Sequence, residues 1–178
     1  MSNPAASYER DMVPVLFAPW VDPLLSAARP GRSARILDLA CGTGVVARSV
    51  ARAANGDGRV AGLDLNPAML DVARDMSTRE GLRIDWHEGR AESLPFAAGS
   101  FDLVLCQQGL QFFVDRAAAL AESRRVLARG GRIALSVWTA STCIPFSQRS
   151  TTSWCGMLAS PRWRHRLRWA MKASCAHC

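Results

Sequence analysis

The sequence predicts an α/β fold built on a doubly wound parallel sheet. Three observations carry that reading. Five short apolar runs alternate with stretches of helix-compatible composition, the order that right-handed crossovers turn into a parallel sheet. The fourth run, Phe101-Asp-Leu-Val-Leu-Cys106, is almost wholly apolar, as in a strand covered on both faces. The chain has 178 residues, 49% of them apolar and 21% charged, which suffices for one domain with its own core and excludes wholesale disorder.

The elements follow in order. Pro4, Pro14, Pro19, Pro23 and Pro30 mark residues 1–34 as a helical cap segment whose helices are short or begin at a proline. Arg35-Ile-Leu-Asp-Leu-Ala40 reads as a buried strand running into the turn Gly42-Thr-Gly44. Val45 to Ala54 is helical and is closed by Asn55-Gly-Asp-Gly58. Arg59-Val-Ala-Gly-Leu-Asp64 is the second strand. Asn66-Pro67 opens the next helix, Asn as cap and Pro in the first turn, with Met69, Leu70, Val72, Ala73 and Met76 as its apolar stripe. Leu82 to Trp86 is the third strand and Phe101 to Cys106 the fourth. Asp115 to Ala128 is a helix stopped by Gly130-Gly131, and Arg132 to Trp138 is the fifth strand. Residues 35–148 thus form the main domain.

Charge divides the chain unevenly. The net charge is +7. Up to residue 148, sixteen arginines against fifteen acids leave about +1; residues 149–178 hold five Arg, one Lys and no acid, hence +6. Three of the six Trp and three of the six Cys also fall in that tail. No run of 18 apolar residues predicts a membrane span, and Met1-Ser-Asn-Pro lacks the basic start and apolar run of a secretory signal, so a cytoplasmic protein with its cysteines as thiols is expected.

Chemistry concentrates at Leu37-Asp-Leu-Ala-Cys-Gly-Thr-Gly44. Glycines let a ligand approach the backbone, and the following helix N-terminus offers free N–H groups to an anionic part of it. Asp64 comes twenty residues after Gly44, at the end of the next strand, where a carboxylate can accept from two ribose hydroxyls. A tight turn plus a capping Asp would explain each feature singly; glycine turn, strand and acid in register favour a nucleoside-type cofactor. Gly42-Thr-Gly44-Val-Val-Ala47 also fits the loose dinucleotide pattern G-x-G-x-x-A, so an NAD(P)-dependent oxidoreductase is the competing reading. A third is a nucleic-acid-binding module that uses the basic tail.

Motifs further along separate the first two. Leu37–Gly44, Gly62–Leu70, Ala91–Asp102 (with Leu94-Pro-Phe96 and Ser100-Phe-Asp102) and Arg125–Gly131 occur in the order of the class I S-adenosylmethionine-dependent methyltransferases. Within them the chain resembles the branch of the ubiquinone and menaquinone biosynthesis C-methyltransferases, over about residues 8–148. The resemblance implies a Rossmann-like sheet, S-adenosyl-L-methionine as cofactor and a small-molecule methyl acceptor, with no nucleic acid partner. It implies that Asp38, Ala40, Gly42 and Gly44 surround the methionine portion, Asp38 near its ammonium. Asp64 would bind the ribose, with Leu65 and Met69 on the adenine and Ala91 and Glu92 at its edge. Cys106, Gln107 and Gln108 would end the fourth strand beside the ligand, and Tyr8 would close over it. For Met69 helix core is an equal reading, and for Cys106 a small buried residue is the better one.

Two positions depart from the branch. Arg90 stands where Asp often precedes Ala-Glu, and Arg cannot accept a bond from the adenine amino group. Arg129 replaces the usual proline of the last turn. His87 is the one imidazole before the tail and reads as a surface residue, so the sequence names no catalytic residue and no metal site; it gives no oligomeric state.

The tail, residues 149–178, lacks the acids and alternation of the final helix and antiparallel strands of such a fold. An Arg/Trp stretch there could bind phosphates and stack on bases. Cys155, His165, Cys175, His177 and Cys178 could bind zinc, although only Cys175-x-x-Cys178 has suitable spacing. A frameshifted or truncated C-terminus is the favoured expectation. Residues Trp169–Cys178, back-translated and read one base earlier, permit Gly-Asp-Glu-Gly-Glu-Leu-Arg-Ala-Leu, an ordinary acid-bearing helical sequence.

Overall fold

The computed structural model describes residues 3–54 and 58–138. The readings of residues 149–178, including the zinc, nucleic-acid and reading-frame expectations, lie outside the described residues.

Five parallel strands form one sheet in the order β3-β2-β1-β4-β5: β1 Arg35–Leu39, β2 Arg59–Asp64, β3 Asp85–Glu88, β4 Phe101–Gln107 and β5 Leu127–Ser136. The chain moves outward from β1 to β3, then crosses to β4 on the other side of β1. The switch point therefore lies between β1 and β4, where open α/β sheets bind ligands at the carboxyl ends of their strands. The helices are α1 Pro4–Ser7, α2 Val21–Ala28, α3 Val45–Ala54, α4 Pro67–Arg79 and α5 Arg116–Val126.

Alternation along the strands builds two cores. Ile36, Val60, Leu103 and Leu105 point to the face covered by α2 and α3, where Leu24, Val46 and Val50 meet them. Leu37, Leu39, Ala61, Leu63, Val104 and Cys106 point to the other face and pack with Leu94, Phe101, Ala119 and Val126. This period of two on both faces is what a sheet covered on both sides requires. Asp38, between Leu37 and Leu39, consequently faces the α3 side.

Caps fix the helix starts. Asn66 Oδ1 accepts from Ala68 N at 3.0 Å, and Asp115 Oδ1 accepts from Ala118 N at 2.9 Å. Asp115→Ala should lower stability by about 1 kcal/mol, a fall in Tm of a few degrees in thermal unfolding; an unchanged Tm would show the cap to be idle.

Three boundaries differ from the sequence expectation. In the leading segment α1 is short and begins at Pro4, but it runs directly into a ten-residue π-helical stretch, Tyr8–Phe17, which neither starts at a proline nor ends at Pro14. The wider turn bonds five residues back, as in Ala18 N to Val13 O, and Pro14, which has no N–H, leaves one donor missing from that ladder. The third strand is Asp85–Glu88 instead of residues 82–86, because Leu82 N turns back to Ser77 O at 2.9 Å and closes α4. The last helix ends at Val126, not Ala128. Leu127 is already extended and pairs with Phe101, and Gly130-Gly131 lie inside β5, where the register with β4 shifts between Phe101 and Leu103.

Candidate cofactor and active site

The carboxyl ends of β1, β2 and β4 meet beneath the leading segment. After β1 the chain turns through Ala40 at φ 56, Gly42 at φ 55 and Gly44 at φ 83, the left-handed region in which glycine is unstrained. The turn is closed by Gly44 N to Cys41 O at 2.8 Å and tied to β2 by Cys41 N to Leu63 O at 3.0 Å. Gly44 has a second reason to be glycine. The Trp86 ring from β3 lies over it and over Gly62, so a Cβ at either position would fall inside the ring's van der Waals surface. Trp86 is itself held by Nε1 donating to Ser77 Oγ at 3.2 Å.

Asp64, at the end of β2, organises the mouth. Its Oδ2 accepts from Gly42 N at 2.7 Å and its Oδ1 from Asn66 N at 2.9 Å. One carboxylate thus sets both the glycine turn and the entry to α4. A carboxylate offers about four lone-pair sites, so two remain for a pair of hydroxyls. Beside it, a cavity of about 530 Å³ opens between the leading segment and α4, lined by Tyr8, Met12, Asn66 and Met69 among others. That volume suits a nucleoside-sized ligand.

Asp38 is fully buried, with Oδ2 accepting from Ala47 N at 3.0 Å. Burial raises its pKa to about 7; the Ala47 amide and the Arg48 charge oppose the rise, and Asp64 adds to it. Tyr8 lies against Gly42, its hydroxyl 4.0 Å from where a Cβ would stand, and its phenol is pushed up to about 12 by burial and by the Asp64 and Glu9 charges. Phe17 stacks at a tilt on Tyr8 (5.3 Å) and meets Trp138 edge-on (6.4 Å), extending an aromatic wall across the strand ends.

The other sequence candidates divide. Gln107 ends β4 and Gln108 follows it; both are buried. Gln107 Nε2 donates to Phe17 O at 2.9 Å, and Gln108 sits at φ 51 with both atoms of its amide unpartnered. Ala40 borders the turn and Met69 the cavity, while Leu65 is exposed at the rim. Ala91 and Cys106 are packed in the core on the α5 face, the Cys106 thiol raised to about 12 by burial. Glu92 turns towards α5, accepting from Val114 N at 3.1 Å, and the exposed Arg90 leans on it. His87 packs edge-on against Phe96. Among the described residues no group of His, Cys, Asp or Glu could hold a metal ion.

Three participants escaped the sequence reading: Asn66 in the cavity wall, Trp86 over the glycines, and Arg48, buried under the turn. Gly62 inside a strand signalled a close approach of the Trp86 kind. Arg48 left no signal, since an arginine in an amphipathic helix ordinarily faces water.

The geometry admits both a methyl-donor nucleoside and a dinucleotide; comparison with known proteins decides. The model of the methyltransferase domain family matches residues 36–131, more than half of the chain. The chain belongs to the methyltransferase domain family. A ubiquinone/menaquinone biosynthesis C-methyltransferase of Sinorhizobium fredii is 37% identical over 118 residues, 64% of this chain and 46% of that protein. An uncharacterized protein of Mycobacterium bovis is 38% identical over 124 residues, 70% of this chain and 44% of its own length. This methyltransferase domain chain thus spans about half the length of the curated relatives it matches. Among solved structures, a Bacillus halodurans protein described as a putative methyltransferase superposes with a TM-score of 0.60 at 30% identity, covering 65% of this chain and 49% of the other. A Methanococcus maripaludis structure described as a putative S-adenosyl-L-methionine-dependent methyltransferase gives 0.67 at 21% identity over 76% and 64%, which speaks to the fold alone. The cofactor of this methyltransferase family is S-adenosylmethionine, and the residues present fit it: the spare acceptor capacity of Asp64, the nucleoside-sized cavity and the buried Asp38 each match one part of it. Neither the oxidoreductase nor the nucleic-acid reading finds support in these matches. No helix among the described residues is long and apolar enough to cross a membrane.

Proposed function

We propose that this chain binds S-adenosylmethionine beneath its leading segment and transfers the methyl group to a small-molecule acceptor, at carbon or oxygen. The observation that carries the proposal is Asp64. Its carboxylate is pinned by Gly42 N and by the N–H of Asn66, a residue that lines the cavity, with acceptor capacity left for two ribose hydroxyls. Gly42 and Gly44 keep side chains away from the methionine portion, Ala40 borders it, and Asp38 supplies the negative charge for its ammonium. Met69 and Leu65 flank the adenine, and Tyr8 covers it. Ala91 and Glu92 act from behind, Ala91 by packing and Glu92 by holding the loop that enters α5. Gln107 faces the leading segment, Gln108 follows it with a buried amide, and Cys106 supports them from the core.

Bound here, the cofactor would supply an electrophilic methyl on a sulfonium. The chain's own work is to align acceptor and donor and keep water out, the share of catalysis that comes from positioning. No side chain is assigned as general base. The relatives named for ubiquinone and menaquinone biosynthesis support a quinone-precursor type of acceptor. Incubating the protein with methyl-labelled cofactor and a panel of phenolic and quinol acceptors should label at least one. Wild-type protein that binds the cofactor yet labels none of the panel would refute the proposed acceptor class.

The Asp38 carboxyl gives a pH signature. Its pKa of about 7 lies above the unfolded value, so between about pH 4 and 7 the folded state holds a proton that the unfolded state has lost, and apo stability falls as pH rises through that window. Binding runs the other way. A cationic amino group beside Asp38 favours the carboxylate, so cofactor affinity should rise from pH 6 to 8 with release of a proton. Calorimetry in buffers of different ionisation enthalpy reads that proton directly. A pH-independent affinity would separate Asp38 from the ammonium.

A further inference from the structure

The leading segment is fastened to the sheet through one buried guanidinium. Glu9 follows Tyr8 in the chain, and its Oε1 meets Arg48 Nη2 of α3 at 2.6 Å. Arg48 is only 4% exposed. Its Nη1 donates to Thr43 O, inside the glycine turn, at 2.5 Å, and its Nε faces Glu80 Oε1 beyond the end of α4 at 3.2 Å. One side chain therefore touches the leading segment, the turn and the α4 terminus at once. At the far end of the same segment, Gln107 Nε2 holds Phe17 O.

A buried charge is tolerable only while paired, and removing one partner of such a pair is strongly destabilising. Lifting the Tyr8–Phe17 segment would cost Arg48 its Glu9 contact, but Glu80 would remain, so opening is resisted without being forbidden. Among the described residues, Glu9 Oε2, Thr43 Oγ1, Arg48 Nε, Gln107 Oε1, both amide atoms of Gln108 and Ser136 Oγ are buried without hydrogen-bond partners. Buried polar groups left unpaired are costly and rare, and three of these residues, Glu9, Arg48 and Gln107, are the ones that fasten the segment.

We propose that Glu9 and Arg48 are positioning residues that set how the Tyr8–Phe17 segment closes over the cofactor cavity. Neither is placed against the cofactor. They act through Tyr8, which borders both Gly42 and the cavity, and through the Thr43 carbonyl, so segment position and turn geometry are coupled. The inference rests on the cofactor reading given above.

The test is Glu9→Gln, which keeps the shape and removes the charge, with Arg48→Lys as a second variant that keeps a cation against both glutamates. Two quantities are read: affinity for S-adenosylhomocysteine, with its release rate, and the rate of limited tryptic cleavage at Arg10 without ligand. The proposal predicts about tenfold weaker binding through faster release and several-fold faster cleavage at Arg10 in both variants. Unchanged affinity and cleavage would overturn it. So would a fall in Tm with affinity unchanged, which would make the pair merely structural. The cleavage assay needs no ligand: faster cleavage in a protein whose wild type fails to bind the cofactor would sink the cofactor reading and leave the fastening role of the pair standing.

Discussion

Gly44→Ala is expected to destabilise the fold by about 3 kcal/mol and to abolish cofactor binding. The two costs have separate origins. A Cβ at φ 83 is strained, at roughly 1–2 kcal/mol. The same Cβ would overlap Trp86 Cη2 and stand 3.0 Å from Cζ3, and overpacking costs typically about 1–3 kcal/mol. Trp86 cannot retreat freely, because its indole N–H is bonded to Ser77 and its ring also covers Gly62. Urea unfolding should show a lower midpoint at an unchanged slope. Gly62→Ala is the control: it meets the same ring without the positive φ, so it should lose the packing share only. Equal midpoints for Gly44→Ala and wild type would remove Trp86 from the account.

Asp64→Ala is expected to weaken cofactor binding by at least about a hundredfold. Two hydrogen bonds to a charged acceptor are each worth about 1.5–3 kcal/mol. The substitution also frees Gly42 N and Asn66 N, which the carboxylate now holds in place. Asp64→Asn keeps the shape and part of the acceptor capacity and should fall between. Titration calorimetry with S-adenosylhomocysteine distinguishes these outcomes. Comparable affinity in Asp64→Ala would place the ribose elsewhere.

What could be read from the sequence follows from how local each signal is. β1, β2 and β4 are central strands, and their runs of Ile, Leu and Val announce them with no help from the rest of the chain. β3 is an edge strand of sequence Asp-Trp-His-Glu, which carries no such pattern. The apolar Leu82, Ile84 and Trp86 drew the expectation three residues early, while Leu82 spends its N–H on closing α4. Pro14 was read as keeping helices short or opening one, whereas it sits in the interior of the ten-residue Tyr8–Phe17 stretch.

The site shows the same division. Gly42, Gly44 and Asp64 were legible because adjacent parallel strands fix their relation by register alone, and Asp38 pairs with Gly62 in that register. Alternation along β4 also separates two neighbours that the sequence reading kept together: Cys106 falls on the α5 face with Val104, whereas Gln107 turns towards Phe17. Arg48 and Trp86 were illegible because their roles lie in long-range contacts, to Glu9 and Glu80 and to Gly44 and Gly62. Nothing within a few residues of either announces those partners.

In the proposed site the cavity beside Asp64 takes S-adenosylmethionine and not a dinucleotide. Thermal unfolding of the same protein with each ligand tests this most directly, since a ligand that binds only the folded state raises Tm with its concentration. A concentration-dependent rise is expected with S-adenosylmethionine or S-adenosylhomocysteine, lost in Asp64→Ala, and no shift with NAD or NADP. A shift produced by the dinucleotides and not by the methionine nucleosides would contradict it.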